Sequence, residues 1–439
     1  MNIAVIGTGY VGLVAAACLA DAGNNCIGVD IDEEKIRKLT AGVVPFYEPG
    51  LDDLLLRNVR EERLVFTTDI ARAVKESQVV FIAVGTPENE DGSADLKHVL
   101  AVAEKIAGHA NGEKVVVLKS TVPVGTNRRV RDLIRAKTAH PVRVVNNPEF
   151  LKEGTAVDDF QKPDRVVIGC EDEHGAAIMS EIYAPFVRTG NPVLIMDPMS
   201  AEMTKYAANV MLASRISMVN ELSQLCEKVG ADVEMVRRGI GTDARIGSSF
   251  LFAGIGFGGS CFPKDISALR KTGEEHGVPM RMTQAIEAVN ARQKEVLFEK
   301  ISAHYGGKLV GLKFAVWGLA FKPRTDDMRE APSIVIINRL LEAGAAVAAF
   351  DPAATETARD IFGPRIRLCE RAYEPLSGAD ALIIMTEWNE FRQPSFDRVK
   401  AALNRPVIFD GRNLYNAQHI SELGFTYYSV GRRAALPVA

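Results

Sequence analysis

The sequence predicts an α/β protein in which two doubly wound domains are joined by a long central helix and a helical middle domain. Near-continuous apolar runs alternate with helical patterns in the first and last thirds of the chain, which indicates parallel sheets covered on both faces. Between them, a helical pattern of about 30 residues begins at Asp197-Pro198 and stops at Gly230. We therefore expect domains at residues 1–196, 197–300 and 301–439.

The first domain opens with a strand, a glycine-rich turn and a helix. Asn2–Ile6 is a short apolar strand pattern, and Leu13–Asp21 is a helical run of small residues. A second strand pattern, Asn25–Val29, is followed by Asp30. A G-x-G-x-x-G turn between a strand and a helix, with an acid about 20 residues on, predicts a dinucleotide-binding, Rossmann-like domain. The turn reads Gly7-Thr8-Gly9-Tyr10-Val11-Gly12.

Each part of this turn has a physical role in holding a dinucleotide. Gly7 allows the tight turn, Gly9 lets a pyrophosphate approach the backbone, and Gly12 lets the helix pack on the strand. Tyr10 and Val11 lie just before the predicted helix, whose N-terminus supplies N–H groups and partial positive charge to the phosphates. The turn therefore predicts the phosphate end of a dinucleotide site.

Polar residues at the ends of other strands complete the predicted cofactor site. Asp30 can accept hydrogen bonds from the adenosine ribose and would repel a 2′-phosphate, so we expect NAD rather than NADP. Two later buried-strand patterns end in polar residues, Thr86 after the first and Ser120 and Thr121 after the second. Because ligands bind beyond the carboxyl ends of parallel strands, we expect these three residues to line the cofactor cleft.

The long helical pattern carries a polar pair and an apolar stripe. Lys205 and Asn209 lie four residues apart, so both side chains project from one face. Asparagine is a modest helix former, which favours a functional role, although a surface lysine and a tolerated asparagine are the alternative. We expect the apolar stripe to pack against a second subunit. The stripe consists of Met203, Val210, Met218, Leu222 and Leu225.

The segment Gly256–Asp265 is rich in glycine and contains Cys261. Its backbone can approach a ligand closely because glycine has no Cβ atom. Pro263 restrains the turn after the cysteine, and Lys264 places positive charge near the thiol, which favours the reactive thiolate. The alternative is a buried, inert cysteine in a flexible loop. Helical patterns resume at Ile266–Gly277 and Met282–Ile301.

The last third repeats the doubly wound pattern with an incomplete glycine turn. A strand, a loop and a helix follow one another over residues 313–341. The loop carries Lys322, Arg324 and Arg329, which suit a different phosphate-bearing ligand, although a solvated basic loop is the alternative. We expect the residues after Tyr428 to be frayed.

Composition and charge restrict the class of protein further. The chain has 52 basic and 56 acidic side chains and a formal charge of −4, so we expect no nucleic-acid partner. Its six cysteines are scattered without a metal-type C-x-x-C pair, which predicts a reducing, cytoplasmic location and no metal site. The first residues do not resemble a signal peptide, and no apolar run approaches the ~18 residues of a membrane span, so we expect no membrane association.

Five motifs of the sequence together resemble the UDP-glucose/GDP-mannose dehydrogenase family of nucleotide-sugar dehydrogenases. They stand in the family's order and extend over nearly the whole chain. The residues around Arg245 and Phe250 are more similar to the UDP-glucose branch than to the GDP-mannose branch. The motifs are the N-terminal glycine turn, Asn147–Leu151 with Glu153-Gly154, Lys205–Asn209, Gly256–Asp265 and Gly318–Lys322.

The resemblance implies an NAD-dependent, four-electron oxidation of the C6 alcohol of UDP-glucose to UDP-glucuronate through a cysteine thiohemiacetal and thioester. A simple alcohol dehydrogenase would have no use for a nucleophile such as Cys261. The same chemistry on another nucleotide sugar, GDP-mannose or UDP-N-acetylmannosamine, is the alternative. In the family, the residue that matches Arg245 reaches a neighbour's site, so the resemblance also implies a homodimer.

The resemblance assigns a role to each matching residue. Cys261 would be the nucleophile, and Lys205 and Asn209 would hold the developing oxyanion. Asp265 would position or activate a water near the C6 oxygen. No histidine falls in any motif, so a carboxylate with a water, or a lysine, must act as the base. The residues that would support the base chemistry and thioester hydrolysis are Glu149 and Thr121.

The remaining implied contacts divide between the cofactor and the nucleotide sugar. The implied contacts to NAD beyond the glycine turn are Lys35, Glu153, Lys264 and Arg329. The implied contacts to the nucleotide sugar are Glu149, Phe150, Leu151, Lys205, Asn209, Arg245, Phe250, Leu251, Gly258, Phe321 and Lys322.

Two more distant functions also use some of these features. A β-hydroxyacid dehydrogenase has a lysine and an asparagine one helical turn apart, but it would make one NADH per substrate and would not depend on Cys261. An NAD-binding regulator without enzymatic activity would have an unreactive thiol. Counting NADH per substrate distinguishes all of these possibilities.

Overall fold

The structure, a computed structural model, describes residues 1–437 and divides into two units. The first unit holds residues 1–208 and 267–278, and the second holds residues 209–266 and the chain from residue 279 onward. Two helices run from one set of residues into the other, so each unit is built from more than one stretch of chain. The division at residues 196 and 300 stays a prediction.

The first unit contains an eight-stranded sheet with helices between successive strands. Its strands are β1 (Asn2–Ile6), β2 (Asn25–Val29), β3 (Leu64–Thr67), β4 (Val79–Ile82), β5 (Lys114–Leu118), β6 (Val142–Asn146), β7 (Val166–Gly169) and β8 (Val193–Met196). Its helices are α1 (Tyr10–Asp21), α2 (Glu33–Thr40), α3 (Leu51–Arg60), α4 (Ile70–Glu76), α5 (Lys97–His109), α6 (Thr126–Lys137), α7 (Ala156–Gln161) and α8 (Glu173–Tyr183).

The strand order of this sheet is β3-β2-β1-β4-β5-β6-β7-β8. All neighbouring strands are parallel except β6 and β7, which pair antiparallel. The order reverses between β1 and β4, which is the point where such sheets bind ligands. Strands β4 and β5 are buried along their whole length because helices cover both faces of the sheet. The predicted doubly wound domain is confirmed.

The long helix α9 (Pro198–Val229) has 32 residues and is therefore about 48 Å long. The Asp197 carboxylate accepts a hydrogen bond from the Ser200 N–H at 2.9 Å, and Pro198 occupies the first turn, where a missing N–H does no harm. The predicted start and end of this helix are confirmed. Two shorter helices follow it, α10 (Val233–Gly241) and α11 (Phe262–Glu275).

The second unit contains a six-stranded, fully parallel sheet in the order β11-β10-β9-β12-β13-β14. This is the doubly wound order of a Rossmann fold. Its strands are β9 (Lys313–Trp317), β10 (Ala346–Phe350), β11 (Arg367–Leu368), β12 (Ala381–Ile384), β13 (Val407–Asp410) and β14 (Thr426–Tyr428). Its remaining helices are α12 (Arg281–Gln293), α13 (Val296–His304), α14 (Pro332–Glu342), α15 (Thr355–Phe362), α16 (Phe396–Ala402) and α17 (Ala417–Glu422).

Three predicted helix boundaries are wrong. Helix α1 begins at Tyr10 rather than Leu13, because Gly12 is tolerated within its first turn. Helix α11 begins directly after Cys261, at Phe262, and includes the proline that we interpreted as part of a turn; proline fits a first helical turn. The single helical pattern from Met282 to Ile301 is two helices, α12 and α13, separated by a two-residue turn that apolar periodicity does not reveal.

The prediction of frayed residues after Tyr428 is wrong for residues 429–437. Tyr427 and Ala435 exchange two backbone hydrogen bonds at 2.8 and 3.0 Å, and Val430 is fully buried. The segment packs back on the second unit because it carries apolar residues of its own, which its place near the end of the sequence does not show. Among residues 1–437, no helix is both long and apolar enough to cross a membrane.

Candidate functional site

The glycine turn of the first unit has the geometry that a pyrophosphate needs. Gly7 has a φ of +97°, which favours glycine, and a Cβ atom on Gly12 would lie 1.9 Å from the carbonyl oxygen of Gly7. At Gly9, which precedes the first residue of α1, a Cβ atom would meet nothing within 4 Å. Two glycines are thus required by packing, while Gly9 leaves open space at the helix N-terminus, where a phosphate can bind.

Asp30 lies at the carboxyl end of β2 and is tied to the glycine turn. Its Oδ2 atom accepts hydrogen bonds from the Thr8 N–H at 3.0 Å, the Thr8 hydroxyl at 2.9 Å and the Lys35 ammonium at 3.0 Å. Burial alone would raise the pKa of Asp30, but the Lys35 and Thr8 hydrogen bonds hold that pKa below its ordinary value. Asp30 is therefore an ionised acceptor, and Lys35 lies beside it. Ile31, which the sequence analysis did not single out, is 85% exposed next to this acid.

Glu48 is a buried carboxylate that the sequence analysis missed. It is 2% exposed and accepts hydrogen bonds from the Gly154 N–H at 2.6 Å and the Ala156 N–H at 2.8 Å. The Tyr10 hydroxyl also donates to it. Burial, followed by the hydrogen bond to Glu48, raises the pKa of Tyr10 well above its ordinary value, so Tyr10 stays a donor. Glu48 therefore joins the start of α1 to the loop that contains Glu153.

Replacing Glu48 by alanine is expected to lower the free energy of unfolding by about 2–5 kcal/mol, because three donors would lose their acceptor in a buried place. The loop that contains Glu153 would lose its hold on Tyr10, so we also expect the KM for NAD to rise more than kcat falls. Denaturant titration and initial rates measure the two effects. The exposed Glu34, which pairs only with neighbours on α2, is the control, and an equal effect of Glu34→Ala would contradict the prediction.

The predicted polar residues at the ends of β4 and β5 are brought together. The Thr86 hydroxyl donates to the backbone carbonyl of Thr121 at 2.9 Å, and the Ser120 hydroxyl donates to the carbonyl of Val84 at 2.6 Å. Thr86 and Thr121 therefore lie at one edge of the sheet, beside the point where the strand order reverses. This arrangement agrees with the expected cleft at the carboxyl ends of the strands.

Lys205 and Glu149 form a buried ion pair in the first unit. The Lys205 ammonium lies 2.8 Å from Glu149 Oε1, and the two side chains are 5% and 6% exposed. Burial alone would raise the pKa of Glu149, but Lys205 and the Leu151 N–H hold it below its ordinary value, so the carboxylate is ionised. Phe150 lies beside this pair, with the Arg165 guanidinium 3.6 Å and the Lys205 ammonium 5.4 Å from its ring centroid.

Asn209, Asp265 and Lys264 form a second polar cluster, in the second unit. The Asn209 amide donates to Asp265 Oδ2 at 2.6 Å, and the Lys264 ammonium donates to Asp265 Oδ1 at 2.5 Å. Asp265 is 1% exposed, so its charge is compensated by these two donors rather than by bulk water. The sequence predicted both Asn209 and Asp265 as functional residues, and their direct contact is new information.

Cys261 immediately precedes helix α11 and is exposed. Its carbonyl oxygen accepts the Asp265 N–H at 2.9 Å, so the cysteine stands at the helix N-terminus. The partial positive charge of a helix N-terminus favours a thiolate. The alternative of a buried cysteine is therefore wrong, because the residue is exposed.

The glycines before Cys261 are required by packing within the second unit. A Cβ atom on Gly258 would lie 2.4 Å from the Glu330 carbonyl oxygen, and one on Gly259 would lie 2.9 Å from the Phe321 ring. The Gly259 N–H donates to the carbonyl of Arg329 at 2.7 Å. These glycines were expected to allow close approach of a ligand, and the close approach that the structure shows is to the chain's own 321–330 segment.

Arg412 is a second residue that the sequence analysis missed. Its guanidinium donates to the backbone carbonyls of Gly256 at 3.4 Å, Phe321 at 3.1 Å and Met385 at 2.8 Å. It therefore connects the cysteine segment to the loops that follow β9 and β12. Its position after β13 gave no signal in the sequence, because an arginine in a loop is more often a solvated surface residue.

The other predicted residues of the second unit differ in how far they are exposed. Arg245 is exposed and pairs with Asp243 at 2.7 Å, and Arg329 pairs with Asp327 at the same distance. Leu251 is 3% exposed and belongs to a hydrophobic core. The last two predicted residues are Phe250, whose φ is +61°, and Lys322, whose ammonium lies 5.3 Å from the Phe321 ring centroid.

These features define the class of the protein as an NAD-dependent dehydrogenase with two Rossmann-like sheets, the first of which has a turn shaped for a dinucleotide. The chain belongs to the UDP-glucose/GDP-mannose dehydrogenase family. The family's NAD binding domain matches residues 1–187, its central domain matches residues 199–292, and its UDP binding domain matches residues 315–417. The predicted family, enzyme class and cofactor are confirmed.

Individual relatives agree with this assignment over nearly their whole length. The UDP-glucose 6-dehydrogenase of Pseudomonas aeruginosa is 48% identical over 445 residues, covering 99% of this chain and 98% of the relative. The UDP-glucose 6-dehydrogenase of Rhizobium meliloti is 48% identical, covering 98% and 100%. The solved structure of a UDP-glucose dehydrogenase from Pyrobaculum islandicum superposes with a TM-score of 0.91 at 37% identity, covering 98% and 97%.

Proposed function

We propose that the protein oxidises the C6 alcohol of UDP-glucose to the carboxylate of UDP-glucuronate, with two NAD reduced per substrate. This proposal rests on the position of Cys261, which is exposed at the N-terminus of α11. The rest of the chain has the domains of an NAD-dependent dehydrogenase. Oxidation of an alcohol to an aldehyde needs no nucleophile, whereas oxidation of the aldehyde to an acid does. A reactive cysteine in a chain that also has an NAD-binding domain therefore supports both steps.

The first step removes a hydride from C6 and a proton from its hydroxyl, which leaves an aldehyde. Bound NAD supplies the hydride acceptor for each oxidation. Lys205 and Asn209, one helical turn apart on α9, would hold the C6 oxygen as negative charge develops on it. The Asp265 carboxylate would position or activate a water near that oxygen, since Asn209 and Lys264 fix its orientation.

In the second step the Cys261 thiolate attacks the aldehyde carbon. A C–S bond forms, the carbonyl electrons move to the oxygen, and the resulting thiohemiacetal loses a second hydride to become a thioester. Water then attacks the thioester, the C–S bond breaks, and the thiolate leaves as the carboxylate product forms. Glu149, which is buried and ionised, would accept a proton from that water, with Thr121 supporting the same step.

The choice of UDP-glucose rests on the relatives and on the UDP binding domain of the family, which matches residues 315–417. Phe321 and Lys322 lie in that domain, after strand β9, and would contact the nucleotide. Oxidation of another nucleotide sugar is the second candidate, because the same chemistry applies to any sugar with a primary alcohol at C6. Contacts to the sugar decide between them.

Counting NADH tests the proposal directly. We expect two NADH per UDP-glucose consumed, and we expect GDP-mannose and UDP-N-acetylmannosamine to be turned over at least about 100-fold less efficiently in kcat/KM, because each leaves polar groups of the site unpaired. A yield of one NADH would contradict the cysteine mechanism. Faster turnover of another sugar would preserve the mechanism and contradict the choice of substrate.

We propose further that the protein is a homodimer that pairs through helix α9. Met211, Met218 and Leu225 recur every seven residues and are 63%, 59% and 57% exposed, so they form one apolar stripe on the helix. Val229 and Met235 extend the exposed apolar surface, at 66% and 63%. Exposed apolar surface of this extent is typical of an interface.

The double substitution Met218→Asp and Leu225→Asp is expected to convert the dimer to monomers, because the charges would have to be buried without partners. Sedimentation velocity measures the change in mass. Val310→Asp is the control, because Val310 is also apolar, 84% exposed and in the second unit, but lies off the helix. A dimer that survives the double substitution would contradict the proposed interface.

A further inference from the structure

Lys119 is a fully buried cation that the proposed mechanism does not use. It follows strand β5 and is 4% exposed. Its ammonium donates to Asn147 Oδ1 at 2.9 Å and to the Tyr183 hydroxyl at 3.1 Å, and it lies 5.6 Å from the ring centroid of Phe160. A buried lysine is costly unless it does something that a neutral side chain cannot do.

The contacts of Lys119 lead directly to Glu149. Asn147 is two residues before Glu149, and its side chain is held on both sides. Its Oδ1 atom accepts from Lys119 and from the Tyr183 hydroxyl, at 2.9 and 2.6 Å, while its Nδ2 group donates to the Val167 carbonyl at 2.9 Å. The short segment from Asn147 to Glu149 is thereby fixed on strands β5 and β7.

Lys119 also adds a second positive charge near the Glu149 carboxylate. A cavity of about 60 Å³ is lined by both residues together with Asn147, Phe150 and Tyr183. The electrostatic interaction between Lys119 and Glu149 raises the pKa of the lysine and lowers that of the carboxyl. The Glu149 carboxylate therefore interacts with two cations, Lys205 at 2.8 Å and Lys119 across the cavity.

We propose that Lys119 is a positioning residue that orients the Asn147–Glu149 segment and keeps Glu149 ionised for the hydrolytic step. This inference rests on the proposed function, because it assigns Lys119 a part in the step that Glu149 performs. Lys119 touches neither the substrate nor the cofactor in this proposal. It acts through Glu149.

The charge state of Lys119 changes near neutral pH. Burial lowers the pKa of Lys119 to about 7, with Glu149 opposing that shift and Lys205 adding to it. Removing the positive charge of Lys119 takes away one cause of the low pKa of Glu149, so that pKa must rise. The other titratable or charged groups that face this cavity or the Lys119 ammonium are Lys205, Tyr183, Lys152, Asp159, Lys162, Asp164 and Arg165.

The pH dependence of kcat/KM for UDP-glucose tests the proposal. In Lys119→Gln, which keeps a donor for Asn147 but has no charge, we expect the acid limb of the profile to move to higher pH by about one unit. Lys119→Arg keeps the charge and should restore the limb. The matched control is Lys114→Gln, because Lys114 is also a buried lysine but lies at the start of β5, where it donates to the Ser77 carbonyl at 2.6 Å.

The outcomes of this experiment distinguish a failure of the Lys119 inference from a failure of the proposed function. An acid limb that stays in place in Lys119→Gln, or that moves equally in Lys114→Gln, would overturn the proposal even if activity falls. If wild-type protein makes two NADH per UDP-glucose while the limb does not move, only this inference fails. If wild-type protein makes one NADH or none, the proposed function itself fails.

Stability against pH gives a second measurement that needs no activity. The pKa of Lys119 falls from about 10.4 in the unfolded chain to about 7 in the folded protein, so the unfolded chain binds more protons between those values. Stability from this group therefore rises from pH 7 to pH 10. The melting temperature of wild-type protein should rise relative to Lys119→Gln over that range. A constant difference would overturn the proposed charge state.

A second variant covers the case in which Lys119→Gln does not fold. Tyr183→Phe removes the hydroxyl that accepts from Lys119 but keeps the ring in the core. The substitution also removes the hydroxyl that donates to Asn147 Oδ1 at 2.6 Å, so the Asn147–Glu149 segment is held less firmly and we expect the acid limb to move in the same direction by a smaller amount. An unchanged limb in Tyr183→Phe would overturn the proposal.

Discussion

Cys261→Ala is expected to lower the rate of UDP-glucuronate formation by at least about 10⁴, because no other group can form the thioester. Stability should change little, since the side chain is exposed. Product formation is measured by chromatography, and folding by thermal denaturation. Cys369→Ala is the control, because Cys369 is 3% exposed in the second unit and has no proposed part in the reaction.

Cys261→Ser provides a sharper form of the same experiment. A serine oxygen can form a hemiacetal and an ester, but an ester hydrolyses less readily than a thioester, so the enzyme should stall with the sugar attached. Mass spectrometry of the intact protein under turnover should show the added mass. If Cys261→Ala turns over normally, or if only unmodified protein is found in Cys261→Ser, the covalent mechanism is wrong.

Lys205→Ala is expected to have the second largest effect, on both catalysis and stability. The loss of one oxyanion donor typically costs about 10²–10³ in kcat. The same change leaves the Glu149 carboxylate buried without its partner at 2.8 Å, which we expect to cost about 3–5 kcal/mol of unfolding free energy. Initial rates and denaturant titration measure the two losses separately.

The buried Lys205–Glu149 pair and a surface ion pair are expected to differ in how their contributions to stability depend on pH. The pKa of Glu149 is lowered in the folded protein, so its stabilising contribution is present above its unfolded value of about 4.3 and is lost as pH falls through the folded value. The stability difference between wild type and Lys205→Ala should therefore shrink towards acid pH. The control, Lys137→Ala, removes an exposed pair with Glu104 and should cost at most about 1 kcal/mol.

The fold was predictable from sequence because its signals are local. Runs such as Val79–Ile82 are apolar throughout. A strand needs apolar side chains at every position only when both of its faces are buried. The edge strands β3, β11 and β14 were not predicted, since they are short and none of them is buried along its whole length. Helix boundaries near glycine and proline were also misplaced, because both residues are acceptable in the first turn of a helix.

The candidate site was predictable only where a residue's neighbours in sequence identify it. Asp30 follows a strand at a fixed distance from the glycine turn, so its place was clear from spacing. Glu48 and Arg412 gave no such signal, because the partners described above lie between 27 and 156 residues away in the chain. Lys119 was not predicted as a functional residue, since burial of its ammonium depends on Asn147 and Tyr183.

The contrast among the six cysteines has a practical consequence for chemical labelling. Cys18, Cys26, Cys170, Cys226 and Cys369 are each at most 9% exposed, whereas Cys261 is exposed. Burial also raises the pKa of Cys26 to about 12, and it raises the pKa of Cys18, Cys170 and Cys369. An alkylating reagent that requires a thiolate should therefore modify one position of the folded protein, so a fluorophore or an affinity handle could be placed there without removing any other cysteine.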